Sequence, residues 1–388
     1  MTTLTCKVPW ISITLSGNGN IKPCCVYQGG EYSYHNGDTL DSVWQDLDSL
    51  RKQFLAGEKP ERCNQCWKRE ASLGTSRRMW YDDKITSWPS TYKLNPDMQL
   101  RHMDLNFGNK CNLKCRMCGS WGSTTWFNEE VALHKINPDF KRNPNKPRPT
   151  IIPASYWENK QDTFKYLERI DFKGGEPMMQ EGMYDFLEYL IEWGLADNIT
   201  IAYTTNGTKT PERLLELWPK FKKIKIVISI EGTGDLYQYI RGGKTQTEEQ
   251  LIENIHWFDQ FENLQGSFNT AIQIYNIFAL PNILTWMRDT VNASTKWHAD
   301  PDSFKFDCMV TNPRYLDINI MPYELKQLAR SRIQDSGYKS LQQISNSLKN
   351  NSYDEKQWQL FCNFTKELDR MRGVDVLNVV PELKGYYK

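Results

Sequence analysis

The chain has 388 residues, 39% hydrophobic and 13% aromatic, enough for two or three units with proper cores. Forty-eight Lys plus Arg against forty-seven Asp plus Glu give a formal charge of +1, which excludes a global field for gathering nucleic acid or an anionic surface. Met1 to Leu15 lacks the basic start, apolar core and small-residue cleavage site of a secretory signal, and no run approaches a membrane span. The expected setting is therefore cytoplasmic, with no membrane partner, and in a reducing compartment ten cysteines point to metal rather than to disulfides.

Eight of the ten cysteines fall in two groups. Cys6, Cys24, Cys25, Cys63 and Cys66 come first, and Cys111, Cys115 and Cys118 follow a Pro-punctuated stretch. In the first segment Ser12 to Leu15, Gly17 to Asn20 and Ile21 to Lys22 read as a β-hairpin, and Leu40, Val43, Trp44 and Leu47 as an apolar helix face.

From about residue 98 short apolar runs alternate with helical patterns. Six strands are expected, at 99–107, 169–172, 198–204, 224–230, 268–277 and 304–310. Met183, Phe186, Leu187, Leu190 and Ile191 line one helix face, as do Leu251, Ile255 and Phe258. Residues 135–149, with five basic side chains and four prolines, read as an extended surface loop. Such repeats, with informative residues just after strand ends, fit a partial (β/α)6 TIM-like barrel better than an open dinucleotide-binding sheet, whose glycine fingerprint is absent. Trp358, Phe361, Cys362, Thr365 and Leu368 share a stripe in a helical C-terminal tail, where Cys362 is expected to be buried. Cys308 reads as a strand packing residue, with a thiol role at the cavity as its alternative. The expected domains are 1–92, 93–315 and 316–388.

Cys111, Cys115 and Cys118 form a C-x3-C-x2-C run directly after the first of the six strands. Three thiolates so close can hold three irons of a [4Fe-4S] cube and leave the fourth iron open to a small molecule. Gly174-Gly175-Glu176-Pro177 follows the second strand, Thr204-Thr205-Asn206-Gly207 ends the third, Ser229-Ile230-Glu231-Gly232 ends the fourth, and Arg241-Gly242-Gly243 comes about ten residues later. Two glycines admit a ligand close to the backbone, a carboxylate suits a cation and an Arg fork suits a carboxylate.

In this order and spacing, the motifs resemble those of the radical S-adenosylmethionine (SAM) enzymes. The resemblance implies that Cys111, Cys115 and Cys118 bind the cluster and that SAM occupies the open iron. It further implies that Gly174, Gly175, Glu176 and Pro177 receive the SAM ammonium, that Thr205 and Asn206 lie by the ribose, and that Ser229, Glu231 and Arg241 complete the site. Met117 stands where an aromatic residue is usual near adenine, and Ile274 is the corresponding contact on the fifth strand, which lacks the family's glycine pattern.

The first cysteine group resembles the SPASM and twitch modules that carry auxiliary iron-sulfur clusters, although here it precedes the barrel. The resemblance implies a closed auxiliary cluster of the [4Fe-4S] type on Cys6, Cys24, Cys63 and Cys66, with Cys25 as the alternative to Cys24 and zinc as the alternative metal. The implied function is an oxidoreductase that cleaves SAM reductively to a 5′-deoxyadenosyl radical, with electrons from an external flavodoxin- or ferredoxin-type donor, to modify a peptide or protein. A small-molecule or nucleotide substrate, or a non-catalytic electron-transfer role, is the alternative, and no catalytic side chain is assigned.

Overall fold

The computed structural model describes residues 5–30, 32–85, 87–140, 152, 154–242, 247–291, 294–304 and 308–387. They form two compact units: one of residues 1–109, 148–204 and 211–225, the other of 110–147, 205–210 and 226–388. Most of the basic loop at 135–149, and Gly243, lie outside the described residues.

In the first unit the expected hairpin is β1 (Ser12–Leu15) and β2 (Asn20–Lys22), and β3 (Tyr32–Ser33) extends it antiparallel to β2. Its tight turn needs Gly19, whose φ is +83°. β1 also pairs in parallel with β4 (His102–Asn106), Ser12 opposite His102. β5 (Arg169–Lys173) and β6 (Thr200–Thr205) continue the parallel run, so the hairpin is part of this unit's sheet.

The pleat sorts these strands into two faces. Ile13, Leu15, Met103, Leu105, Ile170, Phe172, Ile201 and Tyr203 are buried on one. The helix Glu181–Glu192 supplies Met183, Phe186, Leu187 and Leu190 to the unit's core, the stripe read from the sequence, and Met183 Sδ accepts the Tyr203 hydroxyl at 3.6 Å. The other face is polar. Lys173 Nζ donates to Asp104 at 2.5 Å, Arg169 Nη2 donates to Asp171 at 2.6 Å, and Arg77 Nη2 reaches Asp171 at 3.2 Å.

His102 is fully buried in that face, its Nε2 3.1 Å from Asp171 and its Nδ1 3.0 Å from the Ser12 hydroxyl. Burial holds the imidazole pKa below its ordinary value. Burial works against the Asp171 carboxylate too, but hydrogen bonding from His102 and the Arg169 charge outweigh it and lower that pKa. The pair is therefore a neutral imidazole donating to a carboxylate. Below about pH 6.5 an unfolded His takes up a proton that native His102 refuses, so stability is lost as pH falls; Asp171 adds to the loss below about pH 3.9. A urea titration at about pH 7.5 and 5.5 should show roughly 1 kcal/mol less stability at the lower pH. His102→Asn should flatten that dependence.

β7 (Lys223–Ser229) begins in the first unit and ends in the second, which also holds β8 (Leu264–Asn269) and β9 (Trp297–His298). β8 and β9 are parallel, with Gly266 opposite Trp297. In chain order β4 to β9 alternate with helices, a mixed α/β succession with parallel pairing, as in a partial (β/α)6 barrel.

Two strand expectations need correction. The fifth strand stops at Asn269, because Asn276 turns the following segment: its Oδ1 accepts from Gln273 N at 2.9 Å and its Nδ2 donates to Ala271 O at 3.1 Å. The sixth strand is Trp297–His298 rather than 304–310, of which 305–307 lie outside the described residues and Met309 makes only an isolated bridge to Ile272. Gly266 leaves room for the Trp297 ring, which stacks on Phe268 at 5.3 Å.

The tail is helical as expected. Helix Glu355–Arg372 buries Trp358, Phe361, Cys362, Thr365 and Leu368 on one stripe. No helix among the described residues is long and apolar enough to cross a membrane.

Candidate functional site

In the second unit the loop holding Cys111, Cys115 and Cys118 has its backbone carbonyls held by side-chain donors. Leu113 O accepts from Ser123 Oγ at 2.6 Å and from Thr125 Oγ1 at 2.9 Å. Lys114 O accepts from Arg372 Nη2 at 2.9 Å, and Cys115 O from Trp126 Nε1 at 2.9 Å. Cys118 N closes a tight turn onto Cys115 O. These hydrogen bonds tie down the backbone between the three thiols.

Arg116, inside the motif, is fully buried and anchors the loop. Its amide donates to Ile240 O at 2.8 Å, its Nε to Tyr239 O at 2.9 Å and its Nη2 to Asp369 at 2.5 Å, while its guanidinium lies 3.5 Å from the Tyr239 ring centre. Asp369 also accepts the Tyr239 hydroxyl and Val376 N. Burial opposes the Arg116 charge, but Tyr239, Tyr275 and Asp369 outweigh it and hold the guanidinium protonated. Gly242, at φ +94°, lies against the loop so closely that a Cβ would stand 2.5 Å from Lys114 O.

The thiols share their surroundings with an ion pair. Burial pushes Cys115 up to about 12, with Arg241 opposing and Cys118, Glu231 and Cys111 adding to the rise. Arg241 Nη1 donates to Glu231 at 2.8 Å, with both side chains under 10% exposed, and Glu231 accepts from Ala271 N at 3.3 Å. Arg241 Nε, Tyr237 OH and Thr270 Oγ1 are buried without a hydrogen-bond partner. Ile274 is fully buried, and Met117 is half-buried beside Arg116. Asn206 Nδ2 lies 3.7 Å from Cys111 Sγ and donates to Asn112 at 3.0 Å; Thr205 Oγ1 accepts from Gly207 N. Ser229 ends β7.

The Gly-Gly turn belongs to the first unit. Gly174 has φ +129°, and a Cβ there would meet Gly108 O at 2.7 Å and the Asn106 side chain. Gly175 N donates to Gly108 O at 3.0 Å. Glu176 is fully buried, accepts from Met178 N at 3.2 Å and precedes Pro177 at the start of a short 3-10 turn.

The first cysteine group is brought together in the same unit. Cys6, Cys24, Cys63 and Cys66 line one cavity, floored by Val8 and Phe54. Burial pushes Cys6 and Cys63 up to about 12, with neighbouring thiols adding to it. Cys25 is exposed and has Lys173, Arg77 and Asp104 as its electrostatic neighbours instead. None of the ten cysteines is in a disulfide.

Sequence reading passed over Arg116, Asp369, Arg372 and Trp126. Arg116 could have been noticed as a charge inside a cysteine motif, whereas Asp369 and Arg372 lie some 250 positions away with no pattern to link them.

Residues 105–262 match the family described as the Radical SAM superfamily. No curated protein matches the chain. Among solved structures, native anSMEcpe with bound AdoMet is 14% identical, with a TM-score of 0.37 over 61% of this chain and 60% of its own. The same protein with AdoMet and the Cp18Cys peptide is 16% identical, with a TM-score of 0.34 over 61% and 59%. Streptococcus suis SuiB bound to the precursor peptide SuiA is 13% identical, with a TM-score of 0.37 over 87% and 68%. The chain spans about 60% of the length of anSMEcpe.

Residues 105–262 therefore match a radical SAM domain, a kind of domain that binds a [4Fe-4S] cluster and SAM. The residues present fit both groups. Three thiols lie on one loop, and buried polar atoms of Arg241, Tyr237 and Thr270 have no protein hydrogen-bond partner.

Proposed function

We propose that this chain is a radical SAM enzyme that modifies a peptide or protein side chain, using electrons from an external flavodoxin- or ferredoxin-type donor. The observation that carries the reading is the clamped loop of Cys111, Cys115 and Cys118 beside the buried Glu231–Arg241 pair, within the matched stretch. When bound, the cluster and SAM supply reductive cleavage to methionine and a 5′-deoxyadenosyl radical, which abstracts a hydrogen atom.

The chain's own residues bind and orient. Cys111, Cys115 and Cys118 would hold the cluster. Arg241, paired with Glu231, presents a guanidinium suited to the methionyl carboxylate, and the Gly174–Gly175 backbone with Glu176 suits its ammonium. Asn206 ties Asn112 and Cys111 together beside the ribose position assigned to Thr205 and Asn206. Met117 and Ile274 would supply apolar contact to adenine.

Cys6, Cys24, Cys63 and Cys66 would hold the auxiliary cluster. With four protein ligands that cluster has no open iron, so its role is electron transfer or structure. The peptide class rests on this module's resemblance to those of peptide-modifying members.

The test is anaerobic reconstitution followed by reduction with dithionite in the presence of SAM. The reading expects 5′-deoxyadenosine and methionine in equal amounts; a fully loaded protein that leaves SAM intact would sink it.

A further inference from the structure

Side chains that carry nitrogen donors stand around the four-cysteine cavity. Trp67, Arg77 and Arg78 all line it, and each keeps one buried nitrogen without an acceptor: Trp67 Nε1, Arg77 Nε and Arg78 Nε. Other nitrogens of both guanidiniums are already engaged. Arg78 Nη2 donates to Glu70 at 2.6 Å and its Nη1 to Thr5 O at 3.3 Å, and its guanidinium lies 4.7 Å from the Trp67 ring centre. Arg77 Nη2 reaches Asp171 at 3.2 Å and Asp104 at 3.8 Å, with its guanidinium 3.6 Å from the Trp80 ring centre.

A buried N–H without an acceptor is destabilising, so three on the side chains around one cavity call for an occupant rich in acceptors. Four thiols supply weak ones. A thiolate-ligated iron-sulfur cluster is anionic and offers both thiolate and sulfide sulfur, and hydrogen bonds to those sulfurs help to set its potential.

We propose that Trp67, Arg77 and Arg78 donate these N–H groups to sulfur atoms of the auxiliary cluster and hold its reduction potential up. The inference rests on the reading of Cys6, Cys24, Cys63 and Cys66 as that cluster's ligands. Reduction adds a negative charge, which N–H dipoles and cations at the sulfurs stabilise more than they stabilise the oxidised form. Asp171 and Asp104 partly neutralise Arg77, and Glu70 partly neutralises Arg78.

The experiment is an EPR-monitored redox titration of the full chain as wild type, Trp67→Phe and Arg78→Lys, with iron and sulfide measured on each. Trp67→Phe removes the N–H and keeps the ring; Arg78→Lys removes Nε and keeps the charge. The expected result is full iron in all three, with the auxiliary potential of each variant about 59 mV or more below wild type, a tenfold change for a one-electron couple. Independently of any variant, pulsed EPR on wild type with 15N-indole tryptophan should show nitrogen coupling to the reduced auxiliary cluster. Unchanged potentials in fully loaded variants, or no such coupling in wild type, would overturn the proposal. A wild type with about four irons, all lost when Cys111, Cys115 and Cys118 are replaced, would instead overturn the auxiliary-cluster reading beneath it.

Discussion

Replacing Cys111, Cys115 and Cys118 together by Ala should bring reductive SAM cleavage to background and the iron content from about eight to about four per chain. The argument is local. The three thiols lie on one loop whose carbonyls at Leu113, Lys114 and Cys115 are held by Ser123, Arg372 and Trp126, and no other cysteine is on that loop to substitute. Cys6, Cys24, Cys63 and Cys66 line a separate cavity and should keep their four irons. The measurement is iron and sulfide analysis with EPR, followed by quantitation of 5′-deoxyadenosine. A variant that still binds eight irons, or still cleaves SAM, would remove the assignment of these cysteines. Four irons in wild type and none in the variant, with one zinc retained, would make the first cysteine group a zinc site and end its electron-relay role.

Asp369→Ala should cost about 3–5 kcal/mol of stability, because it leaves the fully buried Arg116 guanidinium without its carboxylate. It also strips Tyr239 OH and Val376 N of their acceptor. Since Arg116 stands between Cys115 and Met117, the damage should reach the cluster: reconstitution is expected to fall together with stability. Urea denaturation and iron content test both parts. An Arg116→Met, Asp369→Leu double variant should recover only part of the stability, since it removes the unpaired buried charge but still leaves Tyr239 OH and Val376 N without an acceptor. An unchanged urea midpoint in Asp369→Ala would show that the pair does not anchor the loop.

What could be read from the sequence depended on separation along the chain. The cysteine loop, the Gly174–Pro177 turn and the stripes of Met183 to Leu190 and of Trp358 to Leu368 are patterns within one or a few turns, where the spacing is the geometry. The Arg116–Asp369 pair and the Arg372–Lys114 hydrogen bond were illegible, since neither partner has a local pattern that names the other. The fifth strand failed for a different reason. Residues 268–277 have the apolar content of a strand, but Asn276 and Gln273 bond to the backbone locally and turn it. The short Trp297–His298 strand had no run long enough to detect; its position follows from a ring filling the space over Gly266.

The parallel pairing of β1 with β4 bears on how the molecule is made. Residue 12 cannot find its partner until residue 102 has left the ribosome, and parallel pairing across such a separation is slow to close. Cys6 has already emerged, and the other four cysteines of the first group emerge during that wait. Delivery of iron and sulfur to them before β4 arrives would shorten the loop left to close, whereas a nascent chain starved of iron would expose an unpaired strand edge for longer. Yield of folded protein should therefore depend on iron supply during synthesis, and a chain truncated before residue 102 would emerge with β1 lacking its parallel partner in the sheet.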